Sequence, residues 1–212
     1  MSDSLNMHYL SRKVHSLLGV VPVGAFLAFH LWENSMSRKG GPFFNEHVVK
    51  HIEELLNYKV VIELLLLAAI LFHGVYGLVI WWQGKSNISN YRTWDNTRYL
   101  LQRITAFTTF AFIFWHVWNT RVAAGLSPAV GGDLFAHMQR MYGDPLVMAL
   151  YMAGILGATF HLANGIWLAA VTWGLTTHPR AQRLCQYACG CLFAATTFLG
   201  FHALWGFNHR FF

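Results

Sequence analysis

His30, His73, His116 and His161 each sit inside a long apolar stretch of this 212-residue chain. Polar side chains at membrane depth are costly and mark function by default. The chemistry that suits a neutral imidazole there is axial ligation of a haem iron, and four such rings suffice for two haems with two ligands each. Whether that chemistry is available depends on whether the four depths fall into pairs.

The apolar stretches that carry these residues read as five spans, at about 12–33, 58–83, 99–121, 145–175 and 182–207. A membrane helix needs roughly 20 residues, and a helix satisfies its own backbone in lipid. The composition agrees, being 55% hydrophobic and only 11% charged, against about 25% charged in soluble domains. The expected fold is an all-α membrane protein, residues 1–212 forming one five-helix domain in which four helices make a bundle around two stacked haems b. The first stretch is too long for a signal-peptide core and lacks a small-residue cleavage site, so it reads as a span.

Helical rise converts position into depth. His30 lies 18 residues beyond Arg12 and His116 lies 18 beyond Arg98, each roughly 27 Å from the amino-terminal side at about 1.5 Å per residue. On the two returning helices, His73 stands 10 residues before Gln83 and His161 stands 13 before Gly174, roughly 15 and 20 Å from that side. The depths sort into an outer pair, His30 with His116, and an inner pair, His73 with His161. Gly74, Gly77, Gly157 and Gly165 neighbour the inner pair, and Gly19 shares the His30 face. Glycine leaves space for a macrocycle, although it also permits close helix packing in lipid.

Other polar residues fall at matching levels. His15, Ser16, Arg12, Gln102 and Arg103 lie near the inner pair. They are expected in the environment of the inner haem, with Arg suited to bind a propionate. Glu63 begins the second span on the outer side and Glu33 lies one turn past His30. Either carboxylate is a candidate for proton transfer at the outer side, and either could instead be a solvated helix-end residue. Asn119 and Arg121, just beyond His116, are placed on the same outer side. Glu46, Glu53 and Glu54 lie in the first connector, where His47, Val48, His51, Ile52, Leu55 and Leu56 follow helical spacing. That pattern predicts an amphipathic helix near the bilayer surface.

The net charge of +6 contains no basic run, so it reads as membrane-flanking charge and not as a nucleic-acid surface. Eight Lys and Arg residues fall on the amino-terminal side and seven on the other, the seven diluted by longer loops. This leans towards a cytoplasmic amino terminus. Cys185, Cys189 and Cys191 read as small packing residues. No Cys-x-x-Cys-His occurs, which disfavours covalent c-type haem. No Gly-x-Gly-x-x-Gly or iron–sulfur spacing occurs either, so dinucleotide or cluster chemistry would belong to partners.

Several runs, taken in order, resemble a known family. They are RKVHSLLGVVPVG from Arg12 to Gly24 with the later His30, FHGVYG from Phe72 to Gly77, and LQRIT from Leu101 to Thr105. WHVWNTR from Trp115 to Arg121, FHLANG from Phe160 to Gly165, and VTWG from Val171 to Gly174 with Pro179 and Arg180 complete the set. Together they resemble the b558-type di-haem cytochrome b subunits of succinate dehydrogenases and quinol:fumarate reductases. The resemblance covers nearly the whole chain. It implies the same histidine pairing, a cytoplasmic amino terminus, menaquinone as substrate, and placement in the cytoplasmic membrane. It also implies a flavoprotein with FAD and an iron–sulfur subunit docked on the cytoplasmic face, and it leaves room for a dimer of heterotrimers. Succinate oxidation and fumarate reduction both use such an anchor. The alternative is a quinone-reactive di-haem cytochrome b of a hydrogenase or formate dehydrogenase. A transporter without haem is the contrasting class.

Overall fold

The computed structural model describes residues 2–50 and 56–208, with side chains over 7–50 and 60–208. Among these residues the chain is helical throughout, with no strand. The first rod runs as α1 (Ser2–Leu18), a π-helical stretch Gly19–Gly24, and α2 (Ala25–Ser35), ending in a 3-10 turn at Met36–Lys39. The connector holds α3 (Gly41–Phe44), which runs into π-helical Asn45–Val49. Then come α4 (Leu56–Gln83), α5 (Trp94–Val117) with π-helical Trp118–Val122, and the short α6 (Ala123–Leu126) and α7 (Pro128–Gly132). The chain finishes with α8 (Leu134–Tyr142), α9 (Pro145–Thr172) and α10 (Pro179–Phe207).

Among the described residues, four helices are long and apolar enough to cross a membrane, over Met7–Lys39, Val60–Gln83, Pro145–Thr172 and Pro179–Phe207. The sequence led us to expect five. The remaining long helix, α5, has 24 residues, enough for roughly 36 Å. Its apolar content is diluted by Arg98, Arg103, Thr105, Thr108, Thr109 and His116.

Local chemistry sets the helix ends. Asp144 caps α9 by accepting from the Leu146 and Val147 amides at 2.7 and 3.4 Å, with Pro145 at the first helical position. Gly174, at φ +74°, stops α9 in the left-handed conformation that glycine adopts freely. Thr93 caps α5 through the Asn96 amide. The π-helical stretch in the first rod contains Pro22. Proline has no N–H for the carbonyl four residues back, so the ladder must be interrupted there.

Helix α9 is the centre of the bundle. It packs along α5 on one side and α10 on another, and α10 packs along α2. In α9, 44% of the apolar stretch is buried, against 6% in α4. The face of α4 bearing Val60, Leu64, Leu65 and Leu67 is therefore left for lipid or a partner. Thr159, wholly buried on α9, meets Thr197 of α10 at 2.8 Å.

The densest core lies at the end of the bundle where α2 and α10 finish, here termed the outer end. Phe44, Val48, Phe135, Met138 and Tyr142 from the connectors pack with Met148, Tyr151, Ile155, Leu204 and Phe207. The first connector thus differs from the surface helix expected from its spacing. Its Gly41–Val49 portion is helical, but Phe44 and Val48 turn inward. His51, Ile52, Glu53, Glu54 and Leu55 lie outside the described residues, and Leu56 opens α4. Asn45 ties this connector to α8 by donating to Asp133 at 2.8 Å while accepting from the Phe135 amide at 3.3 Å. Asp133 also accepts from the Ala136 amide, and these donors hold its carboxyl below the usual aspartate range. The cap therefore persists through neutral pH and is lost as acid protonates it.

The last helix closes against the 3-10 turn. Ser37 Oγ donates to the Ala203 carbonyl at 2.8 Å. A Cβ at Gly206 would meet Ser37 and the Arg38 backbone. Gly206→Val should destabilise the protein by about 1–3 kcal/mol through overpacking. A lowered melting temperature of the purified complex is the expected reading, and an unchanged one would refute this close approach.

Candidate haem-binding sites

The four span histidines meet in two pairs. His30 and His116 have ring centroids 5.8 Å apart at 75°. His73 and His161 have centroids 6.1 Å apart at 80°. An imidazole nitrogen binds a first-row metal at about 2.0–2.1 Å, which sets the centroids of two rings sharing one ion about 6 Å apart. Each ring is half-buried. Among the described residues no three or more His, Cys, Asp or Glu converge to hold a metal. A haem needs only two axial protein ligands, so these pairs suit it while a bare ion would find too few donors.

The other nitrogen of each ring is engaged, which matters because that bond orients the ring and selects its tautomer. His73 Nδ1 lies 2.9 Å from the His15 carbonyl. His161 Nδ1 lies 3.3 Å from the Gln102 carbonyl and 3.5 Å from Thr105 Oγ1. His116 Nδ1 lies 3.0 Å from the Tyr151 hydroxyl. An Nδ1–H donated to these oxygens leaves Nε2 with its lone pair for a metal. His30 differs, because its Nδ1 is 3.3 Å from the amide nitrogen of Asn34, which also donates to the His30 carbonyl at 2.8 Å.

Small residues cradle the pairs. A Cβ at Gly19 would fall on the His73 imidazole, and one at Gly77 would approach His15. Gly157 faces Thr108 and Thr109, and Gly165 faces Gln102. The spacing of both pairs and the engaged Nδ1 atoms of His73, His161 and His116 fit axial ligation of a haem at each level, with the glycines at the inner one.

The residues expected near the inner pair are arranged unequally. The His15 ring stacks on His73 at 4.1 Å and 6°. Gln102 donates to the His161 carbonyl at 3.2 Å and accepts from Asn164 at 2.8 Å. Arg12 donates to Gln83 at 3.2 Å. Ser16 Oγ accepts from the Trp173 indole at 3.4 Å. Arg103 donates to the Tyr99 hydroxyl at 2.6 Å and to the Trp81 carbonyl.

Arg98 was not singled out by sequence. It is 6% exposed, donates to Asn164 at 3.0 Å and lies 3.7 Å over the Trp167 ring. Its Nη1 has no hydrogen-bond partner, with Asp95 at 3.7 Å. Arg98, Gln102 and Thr105, at spacings of four and three, form one polar stripe on α5, the signal that could have found it.

At the outer end, Arg121 donates to both oxygens of Glu63 at 3.1 Å, and both side chains are exposed. Glu33 is buried on α2, whereas Glu46 is exposed. Asn119 donates to the Trp115 carbonyl, and its own carbonyl meets His137 Nε2 at 2.9 Å. His137 is thus engaged. His202 stacks on Phe198 at 5.7 Å, and His8 and His47 are exposed. Cys185, Cys189 and Cys191 are free thiols, of which Cys189 is buried.

Two comparisons with known proteins bear on this arrangement. No protein-family model matches the chain. It is 36% identical over 203 residues to the succinate dehydrogenase cytochrome b558 subunit of Bacillus subtilis (strain 168), an alignment covering 95% of this chain and 98% of that protein.

Proposed function

The chain belongs to the succinate dehydrogenase cytochrome b subunits, and on that premise we propose how it works as the membrane anchor of a succinate:quinone oxidoreductase. It passes electrons between membrane menaquinone and an iron–sulfur subunit, which with a flavoprotein carrying FAD docks on the cytoplasmic face. Dicarboxylate chemistry lies on those partners. The observation that supports this best is the presence of two facing histidine pairs on helices of spanning length. Helix α5 serves as the fifth span, because it carries His116 to the level of His30. Five spans set the termini on opposite sides, with the amino terminus cytoplasmic by the weak charge bias.

Haem b, when bound between His73 and His161 and between His30 and His116, supplies a one-electron couple at each level. The chain's own residues do the rest. The carbonyls of His15 and Gln102 orient the inner rings, and Asn34 and Tyr151 border the outer ones. Arg12, His15, Ser16, Gln102 and Arg103 surround the inner level, with Arg98 added, and offer donors for propionates. Glu63 is the acid for quinone-linked proton transfer at the outer end, with Arg121 and Asn119 beside it, and Glu33 is the second candidate. Protons exchanged there while electrons cross to the other face couple turnover to the membrane potential, at about 2.3 kcal/mol per charge per 100 mV.

The purified complex should contain two haems b for each copy of this chain, measured by pyridine haemochrome, together with a flavoprotein and an iron–sulfur protein. One haem, covalent attachment, or co-purification with a hydrogenase or formate dehydrogenase would overturn the proposal.

A further inference from the structure

Outside the roles already given, the molecule buries two tyrosines in series against one histidine. Tyr151, on α9, is 4% exposed, and Tyr142, at the end of α8, is 3% exposed. The Tyr151 hydroxyl is 3.0 Å from His116 Nδ1. The Tyr142 ring packs edge-on against that of Tyr151, at 4.6 Å and 76°. Phe112 stacks on the His116 ring at 5.7 Å and 22°, and packs edge-on to Tyr151 at 5.3 Å. Gly154, one turn along α9, leaves the Phe112 ring its place. The far end of the series is anchored too, since Asn208 donates to the Tyr142 carbonyl at 2.6 Å.

We propose that Tyr151, backed by Tyr142, is the positioning residue of His116, fixing its ring orientation and its tautomer. The direction of the hydrogen bond follows from the reading of His116 as an outer haem ligand, on which this inference rests. With Nε2 committed to iron, Nδ1 must carry the proton and the Tyr151 oxygen must accept it. The Tyr142 ring, packed against Tyr151, holds the hydroxyl-bearing ring in place. An Nδ1–H held by an acceptor makes the imidazole a stronger donor to its metal. Losing the acceptor therefore favours the reduced iron. The series also joins this ligand to the outer core, because Tyr142 packs on Phe207 at 5.6 Å.

The test is Tyr151→Phe in the assembled complex, read by redox titration and by the low-spin ferric EPR signals of the haems. The expected result is an upward shift of the outer haem's midpoint potential and a changed outer EPR signal. The inner haem and dye-linked dicarboxylate activity should be unchanged. Tyr142→Leu, which removes the ring packed on Tyr151, should give a smaller shift in the same direction. An unmoved outer potential and signal in Tyr151→Phe, or a shift confined to the inner haem, overturns the inference. If Tyr151→Phe abolishes assembly, Tyr142→Leu decides: a shifted outer haem sustains the inference and an unshifted one rejects it. The underlying reading fails separately, through a His116→Ala complex that keeps both haems.

Discussion

A complex carrying His73→Ala should retain one haem of two, with the inner one lost or labile, and His116→Ala should do the same to the outer one. Each substitution removes one of two axial ligands and leaves a cavity where the ring stood. The remaining partner, His161 or His30, cannot close that gap, because it sits on a separate helix fixed by its own packing. The inner site gives the sharper result. His73 is held by the His15 carbonyl at 2.9 Å and faced by the His15 ring at 4.1 Å, so His15 stands nearest to the vacated place. The pyridine-haemochrome count should fall by half, and the surviving haem should keep its spectrum. Two haems remaining in His73→Ala, with one lost in His15→Ala or His202→Ala, would show that the pairing is wrong.

Glu63→Gln should depress quinone-linked turnover by on the order of 10²–10⁴-fold, the usual contribution of a positioned acid or base. Haem content and dye-linked activity should stay near normal. Glutamine preserves size and hydrogen bonding but cannot carry the proton. The structure makes this substitution mild for the fold. The Glu63–Arg121 pair is exposed at both ends, and such pairs contribute about 0–1 kcal/mol. Arg121 retains an amide oxygen to donate to. A normal quinone-linked rate would turn attention to Glu33. Its burial on α2 makes it the more demanding site to alter, and loss of haem in Glu33→Gln would mark that residue as structural.

The histidine pairs were legible because helical rise turns position in the sequence into depth, and the order of the two levels, His30 with His116 outside His73 with His161, survives an error of a few residues in the helix ends. The partnership of Glu63 with Arg121 was not. Both were assigned to the outer side, but their residues lie 58 apart, and only the rotation of α4 against α5 decides whether they touch. Tyr142 and Tyr151 carry no signal, since a tyrosine near a span end reads as an interfacial anchor. Arg98 was read as a boundary charge although its side chain folds inward over Trp167. The inward turn of the first connector was hidden for a related reason. The spacing of Val48 predicts a helix face, not what covers that face. Helix α5, read as a span, is less apolar than its 24 residues suggest.

The outer core also constrains the order of synthesis. Its parts come from the first connector, the third connector and the end of the last helix, and the Ser37–Ala203 bond closes a loop of 166 residues. Contacts of such high sequence separation form late. On a ribosome the carboxyl-terminal segment emerges last, so this closure cannot be made while the earlier helices are inserting. Until then, Phe44, Phe135 and Tyr142 lack the Phe207 ring that packs on them. A truncation before Phe207 should therefore leave this core unclosed, and a lowered melting temperature of the purified complex is the expected reading.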